Sequence, residues 1–264
     1  MPPSSALHRN STRSRSSENP NRLNTRQTRE SGTPPSATLS AHQPLENSNL
    51  RANAHNKPSL RLKANIVIAT LNVNGYAAPA SNMSGIDKWS TINRTINTNR
   101  IAILAIQETH LDEHLLQQIN TCFGTRLEII PSMPPENPRA TAGVAFVINK
   151  TMLQPRETKT YELIPGRATA LKIKWLEDEE ILLINVYAPN DRGEQVTFWE
   201  SIDTRRRELH LRRPDLMLGD FNVTEEQLDR APAHPDDPRA IDALRSLRHR
   251  LNLQDSWRHS FPND

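Results

Sequence analysis

Four stretches of the 264-residue sequence are mostly aliphatic, and each is followed at once by polar residues. A short apolar run without alternation predicts a strand covered on both faces, because a strand with one solvent face alternates apolar and polar residues. Helices or a second sheet must therefore pack on either side of these strands. The four runs are residues 66–71, 101–106, 181–186 and 216–218.

Helical patterns occur between and after these runs. In the last of them, Ile241, Leu244, Leu247 and Leu251 recur at a helical spacing. Two more apolar stretches, 142–148 and 168–175, predict strands with no long helical pattern between them, so part of the sheet structure must be antiparallel. The fold class is therefore α/β. The predicted helices cover residues 86–98, 111–119, 194–210 and 238–251.

The first 63 residues have a different composition from the rest. They carry 10 basic and 3 acidic side chains, only 13 of them are apolar, and none is aromatic. Such a stretch cannot bury enough surface to offset its ordering entropy. We predict a disordered basic tail over residues 1–63, attracted to nucleic acid, and a folded domain over 64–264. The Arg- and Ser-rich composition of this stretch also suits an organellar transit peptide, but the stretch shows no apolar helical stripe.

A single cysteine, Cys122, excludes an intramolecular disulfide framework and a zinc site of several thiolates, and it fits a reducing compartment. No apolar run approaches the length of a membrane span, and the N-terminus lacks the apolar core of a secretory signal. We expect an intracellular protein without membrane association.

Polar side chains that suit a hard cation follow the four apolar runs. Taken singly, each motif is ordinary, because Asn, Asp and Gly are preferred in turns and a glutamate favours a helix start. Taken together, they form one set of oxygen ligands at strand ends, where α/β proteins bind ligands. Such a set suits Mg²⁺, which shares its coordination with waters and phosphate oxygens. The residues are Asn72, Glu108, Tyr187, Asp220 and Asn222.

Five motifs in the same order resemble the endonuclease/exonuclease/phosphatase superfamily, and within it the apurinic-endonuclease-like domain of non-LTR retrotransposons. The resemblance covers residues 65–264. It implies a four-layer α/β sandwich, similar to DNase I, made of two packed sheets flanked by helices. The motifs are LNVNG at 71–75, QETH at 107–110, AGVAF at 142–146, NVYAPN at 185–190 and GDFN at 219–222.

The resemblance also implies roles for single residues. Glu108 would hold a divalent metal, Mg²⁺ or in its place Mn²⁺, with Asn72 beside it. Asp220 would activate the attacking water, and Asn222 would orient the water and the phosphate. Tyr187 and Asn190 would contact the scissile phosphate. The reaction implied is the nicking of a DNA phosphodiester, which in retrotransposons primes reverse transcription.

The sequence departs from the superfamily at its end. Members continue past the DSW segment at 255–257 into two strands, one with a Ser-Arg-Leu-Asp-like motif and one ending in Ser-Asp-His, and neither motif is present. The resemblance therefore implies an incomplete domain with weak or no catalysis and an uncovered sheet edge or apolar face. A fragment of a longer reading frame, a wrongly assigned gene and a decayed element all fit. We expect a monomer without reverse transcriptase, located in the nucleus.

Two other functions stay open from the sequence. A superfamily phosphatase acting on phospholipid or inositol phosphates would share the metal and water-activating residues. A non-catalytic nucleic-acid-binding remnant would use the basic tail for non-specific affinity. A nuclease should present basic loops around the site, although a solvated charged face is the more common reason for such residues. The candidates for such loops are Arg139, Lys150, Arg156, Lys159 and Arg167.

Overall fold

A computed structural model describes residues 6–9, 65–74, 85–138, 142–153, 158–175 and 179–261. These residues form two β-sheets and five α-helices, arranged as an α/β sandwich. Within these ranges, none of the helices is both long enough and apolar enough to cross a membrane.

The smaller sheet has four strands in the order β2-β3-β5-β4. Its central strand β3 is buried at all seven positions, as expected for an apolar run with both faces covered. Strand β2 runs parallel to β3 and forms one edge of the sheet. The expectation that its apolar run is covered on both faces is wrong, because Val67 and Leu71 are exposed at this edge. The strands are β2 Val67–Asn72, β3 Ile101–Gln107, β4 Leu127–Ser132 and β5 Val144–Asn149.

The larger sheet has six strands in the order β10-β1-β9-β8-β7-β6. Strands β6, β7 and β8 form an antiparallel meander, whereas β8 and β9 are parallel neighbours. The strands are β1 Ala6–Arg9, β6 Thr158–Ile164, β7 Ala168–Trp175, β8 Glu179–Tyr187, β9 Leu216–Asp220 and β10 Leu253–Asp255.

Aspartates cap the starts of four of the helices. Asp112, for example, accepts a hydrogen bond from the backbone of Leu115. Helix α2 therefore begins at Glu113, two residues later than the predicted start at residue 111. The other capping residues are Asp191, Asp237 and Asp255. The helices are α1 Gly85–Thr98, α2 Glu113–Phe123, α3 Arg192–Glu208, α4 Pro238–Leu251 and α5 Ser256–Ser260.

Three apolar clusters separate four layers. One lies between the smaller sheet and the helices α1 and α2, and includes Trp89, Ile96 and Ile119. A second lies between the two sheets, and a third joins the larger sheet to α3 and α4 through residues such as Trp199 and Leu247. The expected four-layer α/β sandwich is confirmed.

One element lies inside the predicted tail. Residues Ala6–Arg9 form β1, which pairs antiparallel with β9 on one side and with β10 on the other. For these four residues the expectation of disorder is wrong, because two strand edges supply backbone partners that a local composition argument does not consider. Residues 1–5 and 10–63 of the predicted tail lie outside the described residues.

Candidate active site

Parallel pairing brings the polar strand ends to one edge of each sheet. In the smaller sheet Asn72 at the end of β2 is paired with Gln107, the residue before Glu108. In the larger sheet Tyr187 at the end of β8 is paired with Asp220 at the end of β9. The carboxyl ends of these strands therefore face one common site, as the apolar runs predicted.

One amide nitrogen joins the two carboxylates of the site. Nδ2 of Asn72 donates a hydrogen bond to Oε1 of Glu108 at 2.8 Å and another to Oδ2 of Asp220 at 2.7 Å. Both carboxylate oxygens therefore lie within bonding distance of a single atom, although Glu108 follows β3 and Asp220 ends β9. Two acidic groups from two different sheets are held together at this point.

The orientation of Asn72 is fixed by its own loop. Its Oδ1 accepts a hydrogen bond from the backbone N–H of Asn74 at 2.7 Å, so its nitrogen faces the carboxylates. In this arrangement Asn72 is a donor to the two acidic groups. Its role as a metal ligand stays a prediction, and it requires the Oδ1 atom to leave Asn74.

Tyr187 lies against the same glutamate. Its hydroxyl is hydrogen-bonded to Glu108, and the guanidinium of Arg167 lies 5.0 Å from the centre of its ring. Burial raises the pKa of Tyr187 to about 12, and the nearby charge of Glu108 adds to the effect. The phenol is therefore a hydrogen-bond donor at neutral pH.

Asn222 is linked to the strand end at Asp220 and to the loop after β8. Its backbone N–H donates to Oδ1 of Asp220 at 3.1 Å, and its Nδ2 donates to the carbonyl of Ala188 at 2.7 Å. Asn190 is exposed and lines one polar pocket together with Asn222, Arg192 and Arg230. The structure thus brings Asn72, Glu108, Tyr187 and Asp220 into direct contact, with Asn222 bonded to Asp220 and Asn190 nearby in the pocket.

Left-handed backbone conformations are concentrated at these strand ends. Glu108 has φ 54°, His110 has φ 46° and Asn222 has φ 49°. Such conformations are unfavourable for residues with a Cβ and persist where surrounding contacts enforce them, often at functional sites. Gly143 is also needed here, because at φ 92° an added Cβ would lie 2.4 Å from Oγ1 of Thr109.

Two basic groups lie beside the glutamate. Burial lowers the pKa of Lys88, and the charge of Glu108 partly opposes this effect. Burial also lowers the pKa of His110, as does the nearby Lys88, again against the attraction of Glu108. Sequence reasoning assigned no role to Lys88, because a single lysine on a helix carries no pattern.

Sequence reasoning also missed three buried carboxamides. Gln107 and Asn185 are completely buried and form a hydrogen bond between the sheets, while Gln195 on α3 contacts two site loops. Gln107 and Asn185 are the first residues of the motifs QETH and NVYAPN, next to Glu108 and Tyr187, and this position was the signal for them. No pattern distinguishes Gln195 from other polar residues of α3.

The basic loop candidates are divided. Arg167 reaches the site through the ring of Tyr187. Lys150 instead donates from Nζ to the carbonyl of Gly124 at 2.6 Å, which is a local structural contact. Lys159 lies on the outer strand β6 and is exposed. Arg139 and Arg156 lie outside the described residues.

The donor set fits a divalent cation. Two carboxylates converge on one amide nitrogen, and a hard cation such as Mg²⁺ prefers one or two carboxylates and completes its coordination with water and phosphate oxygens. Among the described residues there is no cluster of three or more His, Cys, Asp or Glu side chains with metal-binding geometry. Glu108 is the carboxylate that would hold such a cation, with Asp220 next to it across the amide of Asn72.

An α/β sandwich of two sheets with acidic and amide groups at its strand ends defines a class of metal-assisted phosphoester hydrolases. The profile of the Endonuclease/Exonuclease/phosphatase family matches residues 69–264, and the chain belongs to this family. The family membership places the chain among phosphoester hydrolases.

One curated relative is a transposon protein. The chain is 26% identical over 196 residues to the "Transposon TX1 uncharacterized 149 kDa protein" of Xenopus laevis. The match covers 74% of the chain but only 14% of that protein. The chain therefore spans about a seventh of the length of this relative, and the match supports the resemblance to transposon-encoded members.

Two solved structures share the fold. An AP endonuclease from Archaeoglobus fulgidus aligns with a TM-score of 0.55 and 20% identity, covering 75% of this chain and 76% of that one. The AP endonuclease LMAP from Leishmania major aligns with a TM-score of 0.55 and 18% identity, covering 73% and 68%. The fold expected from the motifs is thus confirmed.

Proposed function

We propose that the domain is a Mg²⁺-dependent DNA endonuclease that nicks target DNA during retrotransposition. The observation that carries the proposal is the shared contact of Asn72 with Glu108 and Asp220, which brings two carboxylates and an amide to one point. The similarity to a transposon protein favours DNA over a lipid or inositol phosphate. A chromosomal DNA substrate would place the protein in the nucleus.

The residues divide the chemistry among them. Asp220 accepts the proton of the attacking water, and Asn222, which is bonded to it, orients the water and the phosphate. The phenol of Tyr187 donates to a phosphate oxygen, and its raised pKa keeps this proton in place. Asn190 is exposed at the adjoining pocket and contacts the same phosphate group. A bound divalent cation would neutralise developing negative charge on the phosphate.

Nicking of supercoiled plasmid by the purified protein tests the proposal. We expect the open-circular form to accumulate with MgCl₂ and not with EDTA, and Asp220→Asn to abolish the reaction. Asp242→Asn is a matched control, because Asp242 is an exposed carboxylate on α4. MnCl₂ is tested in parallel, since Mn²⁺ accepts the same oxygen ligands.

The alternatives give different results in the same assay. A phosphatase would leave the plasmid intact and release inorganic phosphate from inositol phosphates or a phospholipid headgroup, still dependent on Asp220. A protein without activity on any of these substrates but with salt-sensitive DNA binding would be a binding remnant. Either result would overturn the proposed endonuclease activity.

The basic tail is proposed to add non-specific affinity for DNA. Its net charge of +7 releases counterions from the phosphate backbone when it binds, so affinity should fall steeply with salt. Removing residues 11–58 keeps β1 in the chain. This variant should bind DNA more weakly and with a shallower salt dependence, as measured by fluorescence anisotropy.

A further inference from the structure

Helix α3 contributes one buried carboxamide to the site. The side chain of Gln195 is 3% exposed, and its Nε2 donates to the carbonyl oxygens of Pro189 and Asn222, both at 2.9 Å. Pro189 belongs to the loop after β8, and Asn222 belongs to the loop after β9. A single side chain therefore joins the two loops that carry Asn190 and Asn222.

The loop at Asn222 needs such support. Asn222 has φ 49°, a left-handed conformation that is unfavourable for a residue with a Cβ and persists only where contacts enforce it. Its carbonyl accepts from Gln195 and also from Nη2 of Arg230 at 3.3 Å. Its side chain in turn donates to the carbonyl of Ala188. The Gln195 contact is thus part of a set that holds this backbone.

The position of Gln195 is fixed by the helix. Asp191 caps α3 by accepting from the backbone of Gly193 at 2.8 Å and of Glu194 at 3.1 Å. Trp199, four residues after Gln195 and on the same helix face, is fully buried and stacks on Phe221, with ring centres 5.5 Å apart. The same face of α3 therefore holds both Phe221 and Asn222.

We propose that Gln195 is a positioning residue for the hydrolytic site. It keeps Asn190 and Asn222 at a fixed separation so that both reach the same phosphate group, and it acts through them without touching the substrate. The inference rests on the proposed function, because it assigns Asn190 and Asn222 to the reacting phosphate. If the carboxamide of Gln195 had only a structural role, replacing it would lower stability but would not selectively slow the chemical step.

Three variants separate these roles. Gln195→Leu keeps a similar volume and removes both donated hydrogen bonds, whereas Gln195→Lys keeps a donor group. Leu163→Ala is the stability control. Leu163 lies on β6, a strand without site residues, and is buried in the same apolar cluster as Trp199 of α3. For each variant, kcat and KM are measured from steady-state nicking, and the melting temperature is measured separately.

We expect Gln195→Leu to lower kcat about 100-fold, the cost of a small misplacement of groups that act on the transition state, with KM changed less than about threefold. Gln195→Lys should recover at least about tenfold of this loss. Leu163→Ala should keep kcat within about threefold of the wild-type value, although its melting temperature falls as much as that of Gln195→Leu. The proposal is overturned if the kcat of Gln195→Leu falls no more than that of Leu163→Ala.

A second measurement does not need activity. In ¹⁵N-labelled protein without substrate, Gln195→Leu should shift or broaden the side-chain amide signals of Asn190 and Asn222, while those of Gln107 stay in place. If the wild-type protein fails to nick DNA, the proposed function fails, but these spectra still test the positioning. Unchanged Asn190 and Asn222 signals in Gln195→Leu would refute it.

Discussion

Nε2 of Gln107 donates a hydrogen bond to Oδ1 of Asn185 at 2.7 Å across the interface between the two sheets, and neither side chain is exposed. Asn185 donates in turn to the carbonyls of Ile106 at 3.1 Å and Ala145 at 3.0 Å. The contact lies next to Glu108 in the chain. The hydrogen bond between Gln107 and Asn185 therefore holds the end of β3, which is followed by Glu108, against the larger sheet, which carries Asp220.

Asn185→Leu should strongly destabilise the fold. The change removes the Asn185 acceptor of Nε2 of Gln107, which keeps only Oγ1 of Thr70 at 3.0 Å, and it takes a donor from two backbone carbonyls. A buried polar group that loses a partner costs about 1–3 kcal/mol. We expect a loss of about 3 kcal/mol or more in the free energy of unfolding, measured in urea at pH 7. Asn97→Leu, on the exposed face of α1, should change it by less than about 0.5 kcal/mol.

The double variant Gln107→Leu with Asn185→Leu measures the coupling between the two side chains. Replacing both side chains by apolar groups also removes the Gln107 amide that loses its Asn185 acceptor in the single variant, so the double variant should be more stable than the two single effects predict by addition. We expect a coupling of about 1 kcal/mol or more. Additive losses would show that the bond contributes nothing specific.

Asn72→Leu tests whether Asn72 is a donor or a metal ligand. Without the shared amide the carboxylates of Glu108 and Asp220 repel each other, so the metal-free protein should lose about 1–3 kcal/mol of stability. If Asn72 acts as a donor, MgCl₂ should raise the melting temperature of the variant at least as much as that of the wild type. A smaller rise would assign Asn72 to the metal. Glu108→Gln should lose the metal-induced rise.

Tyr187→Phe should lower kcat about 100- to 1000-fold, because it removes one donor to the reacting phosphate. Since the pKa of Tyr187 is raised to about 12, the phenol keeps its proton as the pH approaches 10, and it should cause no loss of wild-type activity up to that pH. Tyr161→Phe on β6 is the matched control and should be as active as the wild type. A wild-type rate that falls on the alkaline side, and does so only when Tyr187 is present, would contradict the assignment.

Asp203→Asn should make the fold less sensitive to acid. Burial alone would raise the pKa of Asp203, but hydrogen bonds from Arg207 and Arg206 outweigh it and hold the pKa below its ordinary value of 3.8. The pKa is lower in the folded than in the unfolded chain, so the stabilisation is complete above pH 3.8 and is lost as the pH falls through the folded value. We expect Asp203→Asn to cost about 1.5–3 kcal/mol at pH 7.

The pH dependence distinguishes this carboxylate from others. In urea unfolding, the difference between wild type and Asp203→Asn should shrink as the pH falls below 3.8. Asp242→Asn, with its exposed side chain, should differ from wild type by less than about 0.5 kcal/mol at every pH. A constant difference between wild type and Asp203→Asn would mean that packing, and not charge, explains the effect.

His8→Pro tests the pairing of β1. His8 is paired with Leu216 of β9 and with Gln254 of β10, so its N–H faces a strand on whichever side it points. Proline removes this donor, and we expect a loss of about 1 kcal/mol or more in the free energy of unfolding. The same substitution at Thr12, beyond β1, serves as the control. Equal stability of both variants would show that β1 does not contribute to the fold.

Most of the strands that the sequence predicts are buried on both faces, and the exception is β2, which leaves Val67 and Leu71 exposed. In β3 all seven residues are buried, so its apolar run needs no tertiary information to be recognised. The edge strands β4 and β6 were not predicted. Strand β4 contains Pro131, which normally argues against a strand and is tolerated here because β4 is at the edge of its sheet. Strand β6 has exposed polar residues and only Leu163 fully buried.

The candidate site was predictable where a residue ends a strand. Glu108 and Asp220 lie at such positions, and the parallel pairs bring each to the same edge of its sheet as Asn72 or Tyr187. Their closeness to each other depends on how the two sheets pack, which the strand pattern does not give. The contact of Gln195 could not be predicted, because it depends on how α3 packs over two loops that are far apart in the chain. The sequence predicts Asn72 beside Glu108, where the structure also has it, but its contacts with both carboxylates require atomic positions.

The place of β1 also constrains the order of folding. Strand β1 leaves the ribosome before the other described strands. Ala6 is paired with Leu218 and Leu7 with Asp255, so the partners of β1 are synthesised almost last among the described residues. Pairings of such long sequence separation form slowly, because a large loop must close before they contribute. During synthesis the smaller sheet can assemble from contiguous chain, whereas the β1 side of the larger sheet closes only after β9 and β10 have emerged.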